Sequence, residues 1–190
     1  MTQKLPPAPS NPWITHSTES VFENDWFRVE TSAVTTPGNT AGQYGVVRMA
    51  NRSVGVVPYE NGHVWMVGQT RYALNQYSWE IPEGGVPKGE DMLAAARREL
   101  KEETGLSART LTHLLDFHPS NSITDEYGEI YLATGLTRGA SALEPTEDIT
   151  SIRIPLSDLL SYIESGQITD VMTIMAAYKL RLMQLAGELE

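Results

Sequence analysis

The chain has 190 residues, 41% of them hydrophobic and 20% charged, with a formal net charge of −10 at pH 7. That is enough chain for one domain with a sizeable core, and the acidic balance argues against a general binder of polymeric RNA or DNA, which needs a basic footprint. No run approaches the ~18 apolar residues of a membrane span, and the N-terminus lacks the apolar core of a signal peptide. There is no cysteine, so disulfides and thiolate metal ligands are excluded and a reducing cytoplasm is the expected location.

Residues 1–12 (MTQKLPPAPSNP) contain four prolines and little to bury. They read as a disordered tail, with order beginning at Trp13 and a single domain spanning 13–190. Residues 19–49 read as strands: SVFENDWFRVETSAVTT, a turn at Pro37-Gly38-Asn39, then QYGVVRM. These would form a hairpin or small sheet ahead of the main core. SVGVVPYE and HVWMVGQTRY follow as two strands around Asn61-Gly62, a good hairpin signal. Arg71 falls at the end of the second strand. After residue 106, ARTLTHLLDF reads as a strand or two, His118–Glu126 as a loop, Glu129–Leu136 as a strand and Gly139–Ile149 as a polar acidic loop. Pro155-Leu156-Ser157-Asp158 opens a helix that Gly166 ends, and Asp170 starts a longer one whose methionines and leucines read as packing.

The stretch Gly84–Leu106, GGVPKGEDMLAAARRELKEETGL, has the most to say about chemistry. A glycine-rich turn runs into a helix carrying Glu99, Glu102 and Glu103. Such crowding of like charge is destabilising unless something opposes it. At roughly 100° per residue, Leu93, Ala96 and Leu100 form an apolar stripe, and Glu99 and Glu103 fall about 40° apart on a neighbouring face. Arg98 is placed to pair with Glu102 at i+4, and Glu90 lies near the helix start, where the dipole favours an anion. Carboxylates gathered in this way suit hard divalent cations.

Gly84, Glu90, Arg98, Glu99, Leu100, Glu102, Glu103, Gly105 and Leu106 match every defined position of the Nudix box. The chain therefore resembles a Nudix hydrolase. Its approach to the box, QTRY followed by WEIPEG, is most similar to the branch acting on ADP-ribose and nucleoside diphosphate sugars. The resemblance implies an α/β fold, an α/β/α sandwich around a mixed β-sheet, with residues 19–49 as an antiparallel extension that forms a homodimer. It implies two or three Mg²⁺ ions, with Mn²⁺ able to substitute, held by Glu99, Glu103, Glu102 and the backbone carbonyl of Glu83. Arg98 would orient a box carboxylate, and Glu147, with Glu144 in reserve, would serve as general base. Arg71, Glu80, Gly84, Gly85 and Glu126 would lie on the substrate side, with Glu90 and Gly105 supporting the box. The branch usually shows Ser-Pro-Gly after the box, where this chain has Pro119-Ser120-Asn121-Ser122.

The expected reaction is hydrolysis of a nucleotide-sugar diphosphate to a nucleoside monophosphate and a sugar phosphate. Three other activities compete with it. Nucleoside triphosphatases of the superfamily tend to lack the strand-rich N-terminal extension. RNA 5′-end pyrophosphohydrolases suit a more basic surface, and nucleotide-sugar sensors usually carry a degraded box.

Overall fold

The computed structural model describes residues 4–139 and 148–189. The chain divides into two units at Ala50/Asn51, with Ser120–Asp125 grouped with the N-terminal residues.

In the first unit, residues 4–12 form no helix or strand. Strands β1 (Ile14–Glu23), β2 (Phe27–Thr35) and β3 (Ala41–Met49) form an antiparallel sheet in that order. β1 starts five residues before the expected boundary at 19. The run expected as continuous is broken at Asn24, whose Oδ1 accepts the N–H groups of Trp26 and Phe27, both at 2.9 Å. A side chain that satisfies two backbone donors makes a tight turn competitive with an extended strand. Asn39 closes the next turn at φ 57°, a left-handed conformation that Asn tolerates better than most residues. Arg28 and Arg48 both pair with Glu30, at 2.7 and 2.9 Å. The Arg48 hydrogen bond is the main reason that the Glu30 carboxyl is held below its usual range. All ten residues of β1 are exposed, Val21 and Phe22 among them.

The second unit contains β4 (Arg52–Glu60), β5 (His63–Arg71), β6 (Gln76–Glu80), β7 (Glu83–Val86), α1 (Met92–Thr104), β8 (Leu106–Phe117), β9 (Gly128–Arg138), β10 (Thr150–Pro155), α2 (Leu156–Glu164) and α3 (Val171–Leu185). The sheet order is β10-β5-β4-β9-β8, with β6 on β5 and β7 on β4. β4 and β9 run parallel while the other pairs are antiparallel, so the sheet is mixed. β8 is one strand with a bulge between His113 and Leu115.

Strand alternation sends side chains to two hydrophobic layers. Val54, Val56, Trp65, Tyr131 and Ala133 meet Met92, Ala95, Ala96 and Leu100 of α1. Val57, Tyr59, Val64, Met66, Ile130 and Leu132 meet Leu156 and Leu159 of α2 and Ala176, Ala177 and Leu180 of α3. This is the expected helix–sheet–helix sandwich. Met172, Met175 and Met183 pack against the second layer, as their spacing suggested.

One departure from a regular sheet positions the site. β4 and β5 pair at their shared turn, through Tyr59–Val64 and Glu60–His63. Further along, Pro82 accepts the Val56 N–H at 2.8 Å, and Thr173 Oγ1 of α3 accepts the Ile81 N–H at 2.8 Å. The segment between β6 and β7 is thus wedged into a splayed sheet, with the fully buried Ile81 as its anchor. Burying a side chain of that size is worth roughly 1.5–3 kcal/mol.

Candidate active site

Helix α1 is capped at both ends by its own sequence. Asp91 accepts the Ala94 N–H at 3.1 Å, while Gly105 adopts φ 70° and donates its N–H to the Lys101 carbonyl. A left-handed residue at that position favours glycine, which accounts for Gly105. Asp91, not Glu90, occupies the cap. Glu90 turns instead toward Arg98. The apolar stripe also differs from expectation, because Leu93 is exposed whereas Met92 and Ala95 are buried beside Ala96 and Leu100. The inner face of α1 is shared with Glu99 and Glu103, themselves 7% and 4% exposed, so its apolar part is rotated toward Met92.

Two buried carboxylates on one helix require nearby positive charge or hydrogen-bond donors. Arg98 is the hub on one side. It reaches Glu90 Oε1 and Oε2 at 3.1 and 3.0 Å, Glu99 Oε1 at 2.6 Å, Glu102 Oε2 at 3.0 Å and the Gly85 carbonyl at 3.0 Å. The hydrogen bonds to Glu90 are the largest cause of the raised Arg98 pKa, with Glu99 and Glu102 adding to it. The same pairing holds the Glu90 carboxyl below its usual range. Arg52 completes this corner by donating to the Glu90 carbonyl at 2.8 Å.

Glu99 lies against the β7 backbone. A side-chain carbon added to Gly84 would overlap the Glu99 carboxylate, so glycine is what makes room for it. Glu103 Oε2 accepts the Glu83 N–H at 2.9 Å, which ties the helix to the start of β7. Arg71, at the end of β5 as expected, donates from Nε to Glu80 Oε1 and Oε2 at 3.0 and 3.1 Å. Its Nη2 reaches Glu80 Oε2 at 2.5 Å and Glu83 Oε1 at 2.8 Å. Burial opposes the Arg71 charge, but the Glu80 hydrogen bonds and the surrounding carboxylates outweigh it and leave the pKa raised. Burial is also the main cause of a Glu83 pKa well above the usual carboxyl range, reinforced by Asp170 and Glu80.

The structure therefore joins Arg98, Glu99, Glu102, Glu90 and Gly85 in one network, and Arg71, Glu80, Glu83 and Glu103 in a second, with Gly84 between them in sequence. Glu126 is placed differently, at the entry to β9, where it accepts from Ser53 Oγ at 2.7 Å. His118 Nδ1 lies 2.8 Å from the Glu126 carbonyl. Glu147 and Glu144 lie outside the described residues. Trp79 packs against the second hydrophobic layer, and Tyr72 is fully solvent-exposed. Asp170 was anticipated only as a helix start. It does cap α3, accepting the Thr173 N–H at 2.7 Å, but its carboxylate also faces Glu80 and Glu83.

The donor set fits a divalent cation. It consists of carboxylates with no sulfur or imidazole, buried beyond what the local arginines balance, and a glycine makes space for one of them. Glu99, Glu103 and Glu102 are the residues that would hold it.

A glycine turn thus leads into a helix of gathered carboxylates, set on a mixed sheet between helical layers. Residues 49–170 match the NUDIX domain model, and the chain belongs to the Nudix family. The chain is 30% identical over 172 residues to the methanol dehydrogenase activator of Bacillus methanolicus, covering 90% of this chain and 93% of that protein. It is also 30% identical over 174 residues to the ADP-ribose pyrophosphatase of Bacillus subtilis (strain 168), covering 90% and 92%. A crystal structure of an ADP compounds hydrolase superposes with a TM-score of 0.83 at 23% identity, over 96% of this chain and 98% of that one, a likeness of fold.

Proposed function

We propose that this Nudix hydrolase cleaves the diphosphate of ADP-ribose or a related nucleoside diphosphate sugar, with Mg²⁺ as the metal. The products would be a nucleoside monophosphate and a sugar phosphate. The observation that carries the reading is the Arg71–Glu80–Glu83 chain, which runs from the end of β5 to the backbone N–H held by Glu103. It sets a guanidinium beside the carboxylate helix, where a diphosphate needs a positive partner. A relative named for ADP-ribose hydrolysis, matched over nine-tenths of the chain, supports it.

In this reading Glu99 and Glu103 are the principal metal ligands, with Glu102 sharing the load and the Glu83 carbonyl adding a neutral oxygen. Bound divalent cations would neutralise the diphosphate, acidify a water and align it for attack. Arg98 keeps Glu99 and Glu102 in fixed positions, so little reorganisation accompanies the reaction. Arg71, steadied by Glu80, binds and orients the diphosphate, while Gly84 and Gly85 let it approach the backbone. Glu126 contributes from the β9 side. Glu147 takes the proton as water adds to phosphorus and the bond to the bridging oxygen breaks. Glu90 braces Arg98, and Gly105 closes the C-terminal end of the helix.

The test is a panel of ADP-ribose, other sugar nucleotides, dinucleoside polyphosphates and nucleoside triphosphates, each incubated with Mg²⁺ or Mn²⁺ and resolved for products. The expected result is highest kcat/KM on a nucleoside diphosphate sugar, with release of the monophosphate. Faster turnover of triphosphates or dinucleoside polyphosphates would overturn it.

We also assign the exposed strands of the first unit to a homodimer contact. Removing residues 1–49 is expected to give a monomer with less than a tenth of the original activity, read by analytical ultracentrifugation and rate assay. A fully active monomer would refute the assignment.

A further inference from the structure

Outside the α1 carboxylates a second acidic group forms from three separate elements: Glu80 at the end of β6, Glu83 at the start of β7 and Asp170 at the head of α3. One carboxylate oxygen of each lies within 4.8 Å of one from each of the others. Arg71 is their shared cation, bonded to Glu80 and Glu83. Three carboxylates against one guanidinium leave an excess of two negative charges when all are ionised.

A second observation distinguishes this group from an ordinary acidic patch. The Glu83 side chain is only 9% exposed, and its Oε2 is buried with no hydrogen-bond partner among the described residues, although Oε1 is held by Arg71. A buried carboxylate oxygen left without a donor costs several kcal/mol unless a proton or a cation satisfies it. Hard divalent ions take oxygen ligands of this kind, and one such ion would balance the excess charge.

We propose that Glu80, Glu83 and Asp170 form a divalent-cation site of their own, with Asp170 supplied by the C-terminal helix and Glu83 contributing its side chain. Its ligands differ from those on α1, so occupancy of the two can be separated. An ion there would tie α3 to the β6–β7 wedge and stand beside Arg71. The site is additional to the catalytic reading above and does not depend on which substrate is cut.

The test counts bound Mn²⁺ by electron paramagnetic resonance on the full chain, in wild type, Asp170→Asn, Glu83→Gln and the double variant Glu99→Gln/Glu103→Gln. Asparagine still caps a helix, so α3 is retained, which a circular dichroism melt verifies. Asp170→Asn and Glu83→Gln are each expected to bind one Mn²⁺ fewer, or to bind one at least tenfold more weakly, and to show a smaller Mn²⁺-induced rise in Tm. The double variant is expected to keep that ion and lose those on α1. Unchanged number and affinity in Asp170→Asn and Glu83→Gln would overturn the site. Loss of every ion in Asp170→Asn would also overturn it, by showing one shared centre. Retention of every ion by the double variant would refute instead the metal-ligand assignment on α1.

Discussion

Replacing Glu103 with glutamine is expected to cut kcat by at least about 10²-fold, the scale of losing one preorganised electrostatic contact in a reacting site. The substitution preserves volume, and the glutamine oxygen can still accept the Glu83 N–H that Glu103 Oε2 now takes at 2.9 Å. The fold and the α1–β7 junction should therefore survive, with Tm close to wild type. What disappears is one buried negative charge on the inner face of α1. The loss should persist at saturating Mg²⁺ if the missing group is a ligand that positions the ion rather than one that merely recruits it. An unchanged rate in the purified variant, with Mg²⁺ present, would remove Glu103 from the assignment.

The second large effect is expected at Gly84, where no charge is altered. Alanine there would drive a methyl into the Glu99 carboxylate, and Glu99 is already held by Arg98 at 2.6 Å. One of the two must move. Overpacking of this kind costs about 1–3 kcal/mol of stability. The larger consequence is displacement of Glu99, the proposed metal ligand, with activity expected to fall by about 10²-fold, as for misplacements of about 1 Å in a reacting geometry. Gly85→Ala is the comparison for Mn²⁺ affinity, since the atoms nearest its added carbon belong to the Asn51 side chain, Nδ2 at 3.3 Å, a contact a side-chain amide can relieve. Mn²⁺ affinity and kcat measured on both variants decide the matter. Equal effects on Mn²⁺ affinity at the two glycines would contradict the packing argument.

How far the sequence reveals this site depends on whether a contact is local. Much of α1 could be read from spacing: the Arg98–Glu102 pair, the glycine after the last turn, the carboxylates on one edge. Leu93 was misplaced because a helical wheel knows nothing of what lies opposite, and here the inner face is shared with Glu99 and Glu103. The extra length of β1 was hidden for a different reason. Its residues are exposed throughout, so no inside–outside alternation marks them. Arg71 was legible as a strand end, but its bidentate hold on Glu80 was not, because Glu80 lies opposite Val67 while Arg71's own cross-strand partner is Gln76. Asp170 could be read as a cap, not as a neighbour of Glu83, because only the tertiary fold brings the head of α3 to the wedge.

The splaying of β4 from β5 has a consequence for how such a protein diversifies. Past their shared turn, β4 answers to β7 and β9, whereas β5 answers to β6 and β10. The box turn hangs from the first set of ladders and the Arg71 hairpin from the second. The hairpin's own turn, closed by Asn75 at φ 50° beside the fully exposed Tyr72, can lengthen or change composition without shifting the register that places Gly84 against Glu99. In the proposed reading, the metal-ligand turn and the substrate-facing Arg71 thus hang from different arms of one sheet, joined through Glu83.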